Sequence, residues 1–186
     1  MKKIVQLTLL LSLILGYSFQ SQASLLIEPV IGYSFGKGNS EFSGLSTDSD
    51  SESLKGISYG GRLGYQNLGF QLGLDYLASK MDYDGDDFNT GEFGGFVGYE
   101  FPVLIRVYAG YIFSGSADYK SDNADIKFSG GSGPKLGLGL TLLPFLDFNI
   151  EYRQVKYETE KDVVAGLNVD LDYSAIMVGF SLPFTL

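Results

Sequence analysis

The stretch Ile57-Ser58-Tyr59-Gly60-Gly61-Arg62-Leu63-Gly64-Tyr65-Gln66 decides the fold. Ile57, Tyr59, Leu63 and Tyr65 share one parity, while Ser58, Gly60, Arg62, Gly64 and Gln66 share the other. Successive side chains of a strand point to opposite faces, so this segment has one apolar face and one small or polar face. A helix would scatter the two tyrosines around its cylinder. The segment is a strand.

Working outward, the same alternation recurs from Leu25 to Leu186 and defines eight segments. Their apolar sets are Ile27/Ile31/Tyr33/Phe35, Ile57/Tyr59/Leu63/Tyr65, Phe70/Leu72/Leu74/Tyr76 and Phe93/Val97/Tyr99/Phe101, followed by Ile105/Val107/Ala109/Tyr111/Phe113, Leu136/Leu138/Leu140/Leu142, Phe148/Ile150/Tyr152 and Ile176/Val178/Phe180/Leu182/Phe184/Leu186. The opposite parity holds glycine, serine, threonine and charged residues, with Leu77, Phe96, Tyr108, Ile112 and Met177 as bulky exceptions. Short links at Asn67-Leu68, Pro102-Val103 and Leu143 to Phe145 alternate with long polar ones at Lys37–Lys55, Lys80–Thr90, Gly115–Gly133 and Glu158–Asp172. That layout, on an even strand count, is the plan of a bacterial outer-membrane barrel with tight periplasmic turns and longer external loops.

Parity supports one register family. Around the first turn, Gln66 is expected opposite Gly69, Leu63 opposite Leu72 and Tyr59 opposite Tyr76. Around the second, Glu100 meets Arg106 and Tyr99 meets Val107. Around the third, Leu140 meets Phe148 and Gly137 meets Glu151. All three place the apolar sets on one face, and a one-residue slip would invert them. Two features put lipid on that face. The polar set is dominated by glycines beside a few long charged residues, as a narrow lumen requires. Aromatic residues gather near strand ends, where they mark the membrane–water boundary.

Composition narrows the chemistry. The 186 residues include 25 glycines, 5 prolines, no cysteine and no histidine. Thiolate chemistry is therefore excluded, as is any hydrolase that relies on a histidine base. Thirteen basic against 22 acidic residues give a net charge of −9, which opposes nucleic-acid binding. Met1-Lys2-Lys3, an apolar run from Ile4 to Leu15 and the small residues of Ser21-Gln22-Ala23 form a signal-peptide pattern over residues 1–23, with residues 24–186 as the barrel.

With these features the chain resembles the small eight-stranded outer-membrane barrels of the OmpA/OmpX and opacity-type families. The resemblance runs from Leu25 to Leu186 and rests on the leader, the strand layout and the alternating last strand, Ser174 to Leu186. It implies an all-β, eight-stranded antiparallel up-and-down transmembrane barrel in the outer membrane, inserted by the barrel-assembly machinery among phospholipid and lipopolysaccharide. Members usually finish on an aromatic residue; this chain finishes on Leu186, with Phe184 two before it. Barrel enzymes of related type use histidine, so no catalytic residue carries over, and no cofactor or metal is expected. Pro29 and Pro183 lack an N–H donor, which predicts weak ladder bonding at the periplasmic end of the closing seam.

An eight-stranded barrel is just wide enough to be filled by side chains. Inward-facing Glu28, Asp75, Glu92, Glu100, Asp147 and Glu151 oppose Arg62, Arg106, Lys135 and Arg153, and confinement requires them to pair. The ion-pair candidates are Glu100 with Arg106, Arg62 with Asp75 and Lys135 with Glu151, together with Arg153. Asp82-Tyr83-Asp84-Gly85-Asp86-Asp87 looks like a calcium loop but lacks the EF-hand glycine and glutamate. The Gly130-to-Lys135 run lacks phosphate-loop spacing and reads as a flexible return. The expected role is structural or one of surface contact, with a surface protein or host ligand bound through four external loops. The second reading is a narrow channel for ions or small solutes. The third is a soluble lipocalin-like barrel.

Overall fold

The computed structural model describes residues 24–42, 52–83, 86–121, 124–159 and 169–186. The leader expected over residues 1–23, most of the acidic, serine-rich run from Ser46 to Ser53, and Asp84-Gly85 of the calcium-loop lookalike lie outside the described residues. The strands are β1 Ser24–Phe42, β2 Glu52–Asn67, β3 Phe70–Tyr83, β4 Asp86–Glu100, β5 Ile105–Ser121, β6 Ala124–Leu143, β7 Leu146–Thr159, β8 Val169–Ser181 and the short β9 Phe184–Thr185. Each pairs antiparallel with its neighbours in chain order, and β1 pairs with both β2 and β8, so the sheet closes on itself. The short β9 continues β8 beyond Pro183 along the same edge of β1, which makes eight walls.

Sidedness follows the parity reading. Leu63 and Leu138 are 58% and 52% exposed, whereas Arg62 is 4% exposed. Aromatic pairs lie along the outer rims, with Phe70 against Tyr99 at 4.7 Å, Tyr99 against Phe101 at 4.8 Å and Tyr33 against Phe35 at 5.0 Å between ring centroids.

Two of the three expected registers hold: Glu100 lies opposite Arg106, and Leu140 opposite Phe148. The first shifts by two residues. Asn67 pairs with Phe70, Leu63 with Leu74 and Tyr59 with Ala78, so the turn is Leu68-Gly69. Both turn residues have positive φ, 51° and 82°, as the tightest hairpin twist requires, and glycine supplies the second at no steric cost. A shift of two preserves the faces. At the closing seam the β8 ladder stops at Ser181, Leu182 donates to the Pro29 carbonyl, and bonding resumes between Leu25 and Leu186. The prolines interrupt the seam locally, and a reciprocal backbone pair closes it below.

The long polar links need a larger correction, because the strands continue through much of them. Lys80 to Tyr83 ladders with Asp86 to Asn89, Ala117 to Ser121 with Ala124 to Phe128, and Phe35 to Gly38 with Glu52 to Lys55. Around the fourth link, Tyr157 and Glu158 pair with Leu171 and Asp170. Outward residues here are polar (Lys55, Lys80, Asp87, Lys120, Lys127), while Leu54, Met81, Phe88 and Phe128 turn inward and are buried. The barrel is thus apolar outside and polar inside along its membrane-facing length, and the reverse beyond it. A surface wetted on the outside must bury its apolar face inside, as a water-soluble barrel does.

Two irregularities produce part of that reversal. Phe113 of β5 is an extra residue, because Phe93 pairs with Ser114 while Gly94 pairs with Ile112. In β6 the register also shifts between Ser129 and Ser132, around Gly130, whose φ of +68° fits glycine. Each bulge switches the parity of its strand, and so Ala117 and Phe128 point into the barrel.

Candidate functional site: the filled lumen

Three layers occupy the lumen. Nearest the rim that carries the termini and short turns, charged residues from each of β1 to β7 point into the lumen. Glu28 is their hub: Arg62 Nη1 donates to its Oε1 at 2.9 Å, and Arg106 donates bidentately at 2.6 and 2.8 Å. Arg62 Nη2 also donates to Glu151 Oε2 at 2.9 Å, and the Tyr108 hydroxyl donates to the same oxygen at 2.8 Å. Arg153 Nη1 donates to Glu92 Oε2 at 3.0 Å, and its Nη2 lies 3.8 Å from Glu151 Oε1. Lys135 pairs with Asp75. The Arg62 guanidinium stacks 4.3 Å from the centroid of the Tyr108 ring, adding a cation–π contact in a desolvated site.

All seven candidate residues face the lumen or its mouth, but none of the three expected pairs is an ion pair here. Arg62 lies opposite Asp75 in register and Glu100 opposite Arg106. Their long side chains instead reach toward the axis, where the opposite wall is within range. Lys135 and Arg153 are register partners of like charge, and they turn apart to Asp75 and Glu92. Glu100 is left at the periplasmic mouth, accepting from Gln66 at 3.0 Å and from Gln71 at 3.4 Å. The hub, Glu28, lies opposite Arg62 across β1 and β2, a pairing whose register no short turn discloses.

Glycine shapes this layer. A Cβ on Gly137 would run into the Tyr108 ring, so the bare backbone of β6 is what lets Tyr108 lie between Arg62 and Glu151. Above the charges, Ser34, Ser58 and Ser79 form a hydroxyl ladder across β1, β2 and β3 at 2.6 and 2.7 Å. Beyond it Leu54, Met81, Phe88, Ile112, Phe128 and Tyr157 pack with neighbours into a buried apolar layer. Of these residues only Ile112 stood out in the sequence, as a bulky exception on the inward parity; the others are spread through stretches rich in polar residues.

Chemically, the lower layer is a set of buried ion pairs, in which Arg106 Nε, Arg153 Nε and Nη2, and Asp147 Oδ1 make no hydrogen bond. Arginine–carboxylate contacts of this geometry stabilise a confined interior only when both partners are present. Among the described residues no cluster of three or more acidic side chains is arranged to hold a metal ion.

The closed barrel with inverted faces agrees with a family comparison. Residues 7–184 match the family model described as an outer membrane protein beta-barrel domain. The chain belongs to that family. Its place is the outer membrane. Among solved structures, it is similar to Neisserial surface protein A, with 19% identity, a TM-score of 0.53, and coverage of 88% of this chain and 99% of that one. It is also similar to Ail, the attachment invasion locus protein of Yersinia pestis, with 13% identity, a TM-score of 0.51 and coverage of 84% and 98%. Ail in complex with the heparin analogue sucrose octasulfate matches with 13% identity, a TM-score of 0.52 and coverage of 85% and 99%. At these identities the likeness concerns the fold. No curated protein sequence matches the chain.

Proposed function

We propose that this outer-membrane barrel is closed to solutes and acts at its outward end, presenting polar hairpins to a surface protein or host ligand. The double filling of the lumen carries the reading. A solute entering from outside meets the apolar layer around Met81 and Phe88, and one entering from the periplasm meets the Glu28–Arg62–Arg106 network. Side chains packed at both levels support a lumen without the continuous wet path that conduction needs. The absence of histidine and cysteine from the chain supports a role without catalysis. Ail, a barrel of the same plan, has been solved in complex with the heparin analogue sucrose octasulfate, which supports a ligand-binding role for a barrel of this plan. Lipopolysaccharide and the barrel-assembly machinery are the other partners this reading includes.

Adherence of cells carrying the protein tests it. Shortening residues 43–51 and 160–168 should abolish adherence while leaving the heat-dependent electrophoretic shift of a folded barrel intact. Unchanged adherence overturns the surface role. Stable conductance steps from wild-type protein in planar bilayers overturn the closed lumen and leave the narrow channel.

A further inference from the structure

The four cations Arg62, Arg106, Lys135 and Arg153 are inside the lumen, and the remaining described basic residues follow one rule. Lys37, Lys55, Lys80, Lys120, Lys127 and Lys156 are all exposed, and all lie toward the rim opposite the termini. No described lysine or arginine stands on the outer wall near the periplasmic turns. Three of the six form a row. On β1 Lys37 is the next outward position after Phe35, on β2 Lys55 follows Ile57, and on β3 Lys80 follows Ala78. Phe35 lies opposite Lys55 and Ile57 opposite Lys80, so the lysines are successive diagonal neighbours, about 7–8 Å apart.

The row lies where the outer wall changes from apolar to polar, since Leu54 and Met81, adjacent to Lys55 and Lys80, already point inward and are buried. That crossing marks the upper limit of the hydrocarbon. Diagonal cations repel one another; the outward acids beside them are Asp82, opposite Lys55, and Asp87, diagonal to Lys80, while Asp172, diagonal to Lys37, pairs with Lys156, so the three lysines outnumber the two aspartates left beside them. The corresponding positions on β4, β5 and β6 are Gly91, Ser116 and Ser132, so the charge is confined to one side of the barrel.

We propose that Lys37, Lys55 and Lys80 form a docking row for the phosphate groups of lipopolysaccharide in the outer leaflet. A lysine at this depth lays its methylene stem along the apolar wall and holds its ammonium at headgroup level. The anionic group available at the outward boundary of an outer membrane is the glycolipid phosphate. The row rests on the lipopolysaccharide partnership included above and not on contact with a surface protein or host ligand, so the row and that contact can fail separately.

Folded protein in zwitterionic-detergent micelles, titrated with bisphosphorylated lipid A and scored by native mass spectrometry, tests the row. Each lysine near an anionic headgroup is worth about fivefold in affinity, so K37Q/K55Q/K80Q should bind on the order of a hundredfold more weakly. Its heat-dependent mobility should remain that of a folded barrel. K120Q/K127Q, farther from the boundary, should bind like wild type. Equal binding by the triple variant and wild type overturns the row, as does failure of wild type to bind lipid A. Wild-type binding of dephosphorylated lipid A as tightly as lipid A overturns the phosphate contact, and equal affinity for phosphatidylglycerol overturns the outer-leaflet source.

Discussion

The lower and upper halves of the lumen solve the same packing problem with opposite chemistry. Below, charges cross the axis and satisfy one another: Glu28 of β1 holds Arg62 of β2 and Arg106 of β5. Above, Leu54, Met81, Phe88 and Phe128 bury apolar surface, and the Tyr173 hydroxyl donates to Met81 Sδ at 3.3 Å. The difference follows what lies outside each wall. Where lipid surrounds the barrel, apolar side chains gain nothing by turning inward, so the lumen takes the polar ones. Where water surrounds it, the hydrophobic effect drives the apolar face in. The exchange occurs within one outward position on β2, between Ile57 and Lys55.

The comparison breaks most easily at the hub. Glu28→Gln leaves Arg62 and Arg106 facing each other without their shared carboxylate, and should cost about 4 kcal/mol, read as a lowered urea midpoint for unfolding from lipid bilayers. A cost under about 1 kcal/mol would show that the lower layer is hydrated and loosely held. Phe88→Ala should cost about 3 kcal/mol by opening a cavity in the upper layer. In planar bilayers it should produce no steady conductance, because the ionic layer below still blocks the path. Steps in Phe88→Ala but not in wild type would make the apolar layer the sole barrier.

Gly130→Ala sharpens the boundary between the halves. The left-handed backbone at φ +68° disfavours a Cβ, although the space beside it is open, so the expected loss is about 1–2 kcal/mol in the same unfolding measurement. A neutral result would mean that the bulge relaxes without strain. The smallest effect belongs to the outer surface. Lys156→Gln removes an exposed pair with Asp172, at 3.4 Å, and should change stability by less than about 0.5 kcal/mol.

Much of this was legible in the chain alone. Ile57 to Gln66 announces a half-apolar strand, the short links set the hairpin order, and Arg62, Glu151 and Arg153 fall on the inward parity. These are local properties, written at a period of two. The parity of Gly115 to Phe128 was not legible, because the extra residue at Phe113 and the bulge at Gly130 reset it. Nor was the stretch from Lys80 to Thr90, where lysine and aspartate mask Met81 and Phe88 and a wetted strand reads as a loop.

By itself, the sequence determined that strands alternate, which face meets lipid, and which charged residues enter the lumen, since each depends on a residue and its near neighbours. Only the tertiary structure decided the partners of those charges. Arg62 faces Asp75 along the ladder yet pairs with Glu28 and Glu151, because closing eight walls brings the barrel's opposite side within reach of a long side chain. That distance is a property of closure, and no single strand encodes it.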